Sequence, residues 1–125
     1  MTMPRPHRTR RKPDDRGAVT VEAAVALASF ALVLGLAICG LMAAADQVRC
    51  VDAAREAARL TARGEPEQAK EAAARIAPAN AQITITTKAE HIEVNIQATP
   101  VNGLLPGVTL HAKAFAVREP GDPPG

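Results

Sequence analysis

A long run of uncharged residues, 23–45, most constrains what this chain can fold into. None of its 23 residues is Asp, Glu, Lys or Arg. As an α-helix the run would be roughly 34 Å long, at about 1.5 Å per residue, and a bilayer's hydrocarbon core is about 30 Å thick. Its larger apolar side chains favour membrane insertion by roughly 3–5 kcal/mol. The run therefore predicts a single transmembrane helix.

The charges that flank this run are asymmetric. The N-terminal segment carries six basic residues against Asp14 and Asp15, whereas the first charge after the run is Asp46. Basic flanks stay on the cytoplasmic side of a membrane, so we expect the N-terminus inside the cell and the C-terminal part outside. The basic residues of this topogenic cluster are Arg5, Arg8, Arg10, Arg11, Lys12 and Arg16.

A glycine and a lone carboxylate stand at the entrance to the apolar run. Gly17 is followed by Ala18, Val19, Thr20, Val21 and Glu22. An unpaired acid at the mouth of an apolar helix costs free energy in lipid, so its presence calls for a functional reason. A basic segment followed by this motif and an apolar helix is typical of a targeting and processing signal.

This order of residues resembles the leader of type IV prepilins and, more narrowly, the TadE-like minor pilins of the tight-adherence (Flp) pilus system. The resemblance implies that a prepilin peptidase cuts between Gly17 and Ala18, which makes Glu22 the fifth residue of the mature chain. It also implies that Glu22 pairs with the new N-terminal amine of a neighbouring subunit. The partners it implies are the peptidase, other pilins and pilus assembly proteins.

The interpretation divides the chain into four segments. These are a cleaved cytoplasmic leader at 1–17, a transmembrane helix at 18–45, an extracytoplasmic domain at 46–119 and a flexible tail at 120–125. Loss of the leader changes the net charge from +2 to −2. The basic pI of 8.8 is therefore no evidence for nucleic-acid binding by the mature chain, and we expect no nucleic-acid partner.

Small residues recur along the apolar run at a spacing that permits helix packing. Ala31 with Gly35, and Gly40 with Ala44, follow the small-xxx-small pattern that lets neighbouring helices approach closely in lipid. An alanine-rich sequence also produces such pairs by chance, so both readings stay open.

Helical periodicity continues beyond the run. Between residues 46 and 63, five charged residues fall on one narrow arc of the helix: Arg49, Asp52, Glu56, Arg59 and Arg63. The apolar residues on the other side are Val48, Val51, Ala54, Ala58 and Ala62. Gly64 interrupts the pattern, and Pro66 suits the first position of a second helix that extends to Ile76.

The period then changes to two, which predicts strands. Alternating apolar residues indicate strands at 83–88 and 91–98 with a tight turn at Ala89 and Glu90. After a Gly- and Pro-rich connector at 100–107, a third strand is expected to begin at Val108. The predicted fold class is α+β: a long helix, a short helix and a three-stranded antiparallel sheet packed on the second helix or the outer part of the first.

Residues suited to catalysis or metal binding do not form a recognisable pattern. The three histidines lack metal-ligand spacing, and no nucleophile elbow or phosphate loop occurs. We therefore expect no enzymatic activity, metal, cofactor or small-molecule substrate. On one helix, Cys39 and Cys50 would be about 16 Å apart, which excludes a disulfide between them. Cys50 remains a candidate for a disulfide to another subunit.

The residues leave three other functions open. Residues 43–45 form an A-x-A site, and a cut after Ala45 would release a small secreted binding domain. Without any cut, the chain would be an ordinary single-pass envelope protein. The basic cluster could also bind anionic lipid or nucleic acid. We expect a non-enzymatic pilin-like subunit or assembly factor, with its structural, priming or terminal role in the pilus left open.

Overall fold

The computed structural model describes Met1 and residues 15–118. Helix α1 (Asp15–Ala62) is followed by helix α2 (Pro66–Ile76), strands β1 (Gln82–Lys88) and β2 (His91–Ala98), a 3-10 turn (Pro100–Gly103) and strand β3 (Leu110–Val117). The fold is α+β, as the sequence predicts. The basic residues from Arg5 to Lys12 and the tail at 120–125 lie outside the described residues, as does the side chain of Arg16.

The chain divides into two compact units, Met1–Leu36 and Ala37–Gly125. In the first unit the described residues are Met1 and the N-terminal part of α1. The second unit contains the rest of α1, together with α2 and the sheet. It is therefore a small helix-and-sheet domain built on the C-terminal part of a long helix.

The end of α1 matches the predicted break. Gly64 adopts a φ of 81°, which suits glycine because a Cβ disfavours that backbone conformation. The amide of Glu65 donates to the carbonyl of Leu60 over 3.1 Å, which satisfies one of the last carbonyls of α1. Pro66 then occupies the start of α2, where its missing N–H costs no hydrogen bond.

The three strands form an antiparallel sheet in the order β1-β2-β3. Lys88 pairs with His91 across the predicted turn, in which Ala89 has a φ of 53°. The third strand begins at Leu110, so the predicted start at Val108 is two residues too early. Gly107 has a φ of 82° and Val108 is 44% exposed, because the chain is still turning there.

One face of the sheet packs with α1 and α2 into a core made largely of alanine. β2 supplies the larger side chains, since Ile92, Val94 and Ile96 are fully buried. Small helix side chains let helices and sheet approach closely. The buried helix residues are Cys50, Ala53, Ala54, Ala57, Ala58 and Ala62 of α1 and Ala69 and Ala73 of α2. The sheet thus packs with both helices that the sequence offered as alternatives.

The buried face of α1 includes Ala54, Ala58 and Ala62, as the sequence predicts, but its centre is rotated away from Val48. Val48 was expected on the apolar face and is 58% exposed, whereas Cys50, which the pattern assigned to neither face, is fully buried. Since alanine occupies so many positions of this helix, the charged arc alone left the centre of the apolar face undefined. The burial of Cys50 argues against the disulfide to another subunit that the sequence left open.

Candidate functional site

The N-terminal part of α1 exposes apolar side chains on every side. Among the described residues, one helix, Gly17–Ala62, is long and apolar enough to cross a membrane, with an 18-residue stretch of mean hydropathy 2.5 that is not buried at all. Val21, Leu27 and Phe30 are each more than three-fifths exposed. A surface of this kind requires lipid or neighbouring chains to cover it. It is compatible with a single-pass membrane protein.

The glycines of this helix serve no packing purpose within the described chain. A side chain added at Gly17, Gly35 or Gly40 would meet no atom within 4 Å. Glycine inside a helix costs roughly 1 kcal/mol relative to alanine. Any benefit from these glycines must therefore come from a molecule outside the described fold.

Glu22 is the carboxylate that the sequence singles out, and it lies exposed on α1. No ion pair joins it to any side chain between residues 17 and 118. By contrast, the hydroxyl of Ser29 donates to the carbonyl of Val25 over 2.8 Å, so that polar group is satisfied within its own helix. Any ionic partner of Glu22 must therefore lie outside this part of the chain.

The four small residues of the predicted packing pairs also lie on the helix surface. Ala31 and Gly35 are exposed in the first unit, and Gly40 and Ala44 are exposed in the second. Each position leaves a shallow surface that a second helix can approach. The structure thus makes all four accessible, and their pairing with neighbouring helices stays a prediction.

Where the apolar run ends, three polar side chains bind the rest of the second unit. Asp46 accepts a hydrogen bond from the backbone N–H of Val101 over 3.2 Å. Gln47 donates to the carbonyl of His111 over 2.9 Å, and Arg49 donates to the carbonyl of Ile76 over 3.1 Å. We call Asp46, Gln47 and Arg49 the polar collar. Each member joins α1 to a different element, which sequence patterns did not reveal because the partners are distant in the chain.

A groove of about 380 Å³ lies on the sheet, lined by side chains that include Thr86, Lys88, His91, Glu93 and Phe115. Phe115 is 73% exposed there. His91 and His111 are exposed strand residues, as the sequence predicts. Among the described residues, no group of three His, Cys, Asp or Glu side chains could hold a metal ion.

Comparison with known proteins identifies a relative. The chain is 44% identical over 101 residues to a protein named "Apoptosis inhibitor Rv3655c" from Mycobacterium tuberculosis (strain ATCC 25618 / H37Rv). The match covers 81% of this chain and 79% of that protein. No family model and no solved structure matches the chain.

Proposed function

We propose that the chain, which belongs to the same family as the mycobacterial protein named "Apoptosis inhibitor Rv3655c", is a pilin-like, non-enzymatic subunit or assembly factor of a tight-adherence type IV pilus. The proposal rests on the prepilin-like motif from Gly17 to Glu22 and on the exposed apolar helix that follows it. In this proposal α1 enters the membrane with its N-terminus in the cytoplasm. A prepilin peptidase then cuts after Gly17. The second unit faces outward, where its sheet is available to solvent or to other pilus proteins.

The exposed apolar surface of α1 is the observation that carries this proposal. Its large side chains between Val19 and Met42 are exposed, although the neighbouring domain has a well-buried core. A pilin uses such a helix twice, first against lipid and then against the helices of other subunits. Gly17, Gly35 and Gly40 leave open space on the helix surface, and Glu22 has no ion pair within the described residues. Both features are expected of a helix whose contacts come from lipid or from other subunits.

The N-terminal sequence and intact mass of the protein recovered from membranes test the proposal. We expect a mature chain that starts at Ala18 when the prepilin peptidase is present and an uncut chain when it is absent. If the chain stays uncut both with and without the peptidase, the protein is a plain membrane anchor and the pilin-like assignment is overturned.

Substitution of Gly17 tests the cleavage site itself. We expect Gly17→Leu to block processing, because a large side chain cannot enter a peptidase pocket that accepts glycine. Gly35→Leu is the matched control: it makes the same change on the same helix, also in open space, and should be cleaved normally. Immunoblotting of membrane fractions separates the two forms by mass. Normal cleavage of Gly17→Leu would contradict the proposed site.

A released domain is the second candidate, and one observation favours it. The polar collar begins at Asp46, so a cut after Ala45 would leave every collar contact in the released part. The name of the mycobacterial relative states inhibition of apoptosis for that protein. A released domain of this chain is the form in which to test such an activity. A mature N-terminus at Asp46 would select this candidate.

A further inference from the structure

The connector between β2 and β3 is an uncharged and partly apolar loop. We define it as residues 99–109, which contain no Asp, Glu, Lys or Arg. Leu104 is 70% exposed and Val108 is 44% exposed. By contrast, the exposed face of the sheet carries Lys88 and Lys113. The connector therefore presents apolar side chains from a segment that lacks the charges of the neighbouring surface.

Hydrogen bonds and backbone geometry hold the connector in one shape. Val101, Asn102 and Gly103 have consecutive positive φ angles of 50°, 51° and 88°. A left-handed conformation costs a residue such as valine roughly 1–2 kcal/mol. Asp46 offsets part of this cost by accepting the N–H of Val101, and the amide of Leu104 donates to the carbonyl of Val101 over 3.1 Å. The position of Leu104 is thus fixed relative to Asp46.

This tether sets the connector at the end of the apolar run, since Asp46 is the first residue after it. Burial on α1 shows that the second unit also extends alongside the run. Cys39 and Ala43, which share a helix face with Asp46, are half-buried, whereas Leu41 and Met42 on other faces are exposed. Cys39 is seven residues before Asp46, about 10 Å along the helix axis.

We infer that the connector is a second membrane contact, with Leu104 and Val108 in the interfacial layer of the bilayer on the outer side. This rests on the proposed insertion of α1. If residues 23–45 span the membrane, a domain that reaches alongside Ala43 must place part of itself at the bilayer surface. The uncharged connector, tied to Asp46, is the segment suited to that depth. Lipid is the occupant that the geometry favours, because the connector is uncharged and is tied to Asp46, the first residue after the apolar run.

Single tryptophans test this inference directly, since the chain has neither Trp nor Tyr. The full-length protein would be reconstituted in phosphatidylcholine–phosphatidylglycerol vesicles as three variants: Leu104→Trp, Phe115→Trp and Leu34→Trp. Lipids brominated on the acyl chain quench tryptophans at the membrane, and acrylamide quenches those in water. Phe115→Trp is the matched control, because it places the same side chain on an exposed sheet position.

We expect Leu104→Trp to emit at shorter wavelength than Phe115→Trp, to lose most of its emission in brominated vesicles and to resist acrylamide. Equal quenching of Leu104→Trp and Phe115→Trp by acrylamide would overturn the inference. Protection from acrylamide without quenching by brominated lipid would also overturn it, because another copy of the chain would then cover the connector. Leu34→Trp reports the anchor separately: if brominated lipid fails to quench it, membrane insertion fails and the inference fails with it.

Discussion

At the scale of single residues, Cys50 shows how burial controls chemistry in this domain. Its thiol lies in the core, and its pKa is raised above the ordinary value of 9.0, first by burial and then by the negative charge of Asp46. Arg49 opposes this shift. The thiolate is the reactive form of cysteine. Folding therefore slows the reactions of Cys50 in two ways: it buries the sulfur, and it keeps the thiol protonated.

We therefore expect Cys50 to react slowly with iodoacetamide in the native protein at pH 8 and quickly after unfolding. A Cys39→Ala background leaves Cys50 as the remaining cysteine. Because the pKa of Cys50 is raised in the folded state, its protonated thiol contributes to the free energy of unfolding. That contribution is complete below the ordinary pKa and is lost as the pH rises through the raised pKa. Mass spectrometry gives the labelling rates. Equal rates in the native and unfolded states would contradict the burial of Cys50.

Asp46 is the second residue whose role can be measured alone. Asp46→Ala removes the acceptor for the N–H of Val101 and leaves a strained turn without its hydrogen bond. We expect a loss of about 1–3 kcal/mol in the free energy of unfolding, measured by denaturant titration in detergent micelles. Asp46→Asn is the control, since its side-chain oxygen can still accept the bond. If both variants are as stable as the native protein, the contact contributes nothing.

At the scale of elements, the small side chains of the buried alanines on α1 allow the sheet to pack close to the helix. Ala53 and Ala57 are fully buried. We expect Ala57→Leu to destabilise the domain by about 1–3 kcal/mol, because the added atoms must displace the packed core. Ala74→Leu makes the same change at an exposed position of α2 and should have little effect. Denaturant titration followed by far-UV circular dichroism compares the two, and equal stability would show a loosely packed interface.

The elements were more predictable than the contacts between them. Gly64 and Pro66 mark the helix break by local backbone chemistry, and strict alternation from Ile92 to Ala98 marks a half-buried strand, so both were readable from the sequence. The buried face of α1 was readable in part: Ala54, Ala58 and Ala62 are buried as predicted, but the abundance of alanine hid the centre of the face. The contact of Asp46 with Val101 joins residues 55 positions apart and was equally hidden. The exposed placement of Gly17 and Glu22 follows from an apolar helix that no residue between 17 and 118 covers.

At the scale of the whole molecule, the proposed pilus role requires that neighbouring subunits cover α1 once it leaves the lipid. If Glu22 pairs with the N-terminal amine of a neighbouring subunit, Glu22→Ala should leave cleavage intact and reduce incorporation into pili. Glu67→Ala removes an exposed acid of α2 and is the matched control. Quantitative immunoblotting of sheared pili and membranes measures both steps. Unchanged pilus incorporation of Glu22→Ala would count against the pairing.

The alanine-rich contact between α1 and the sheet also has a mechanical consequence. A force along α1 would load this contact in shear, and small side chains interlock weakly against sliding. Resistance would then fall on the polar collar, where Asp46, Gln47 and Arg49 fix α1 to three different elements. Under tension, the attachment of the sheet and α2 to α1 would depend more on the hydrogen bonds of the polar collar than on the apolar area buried along the helix.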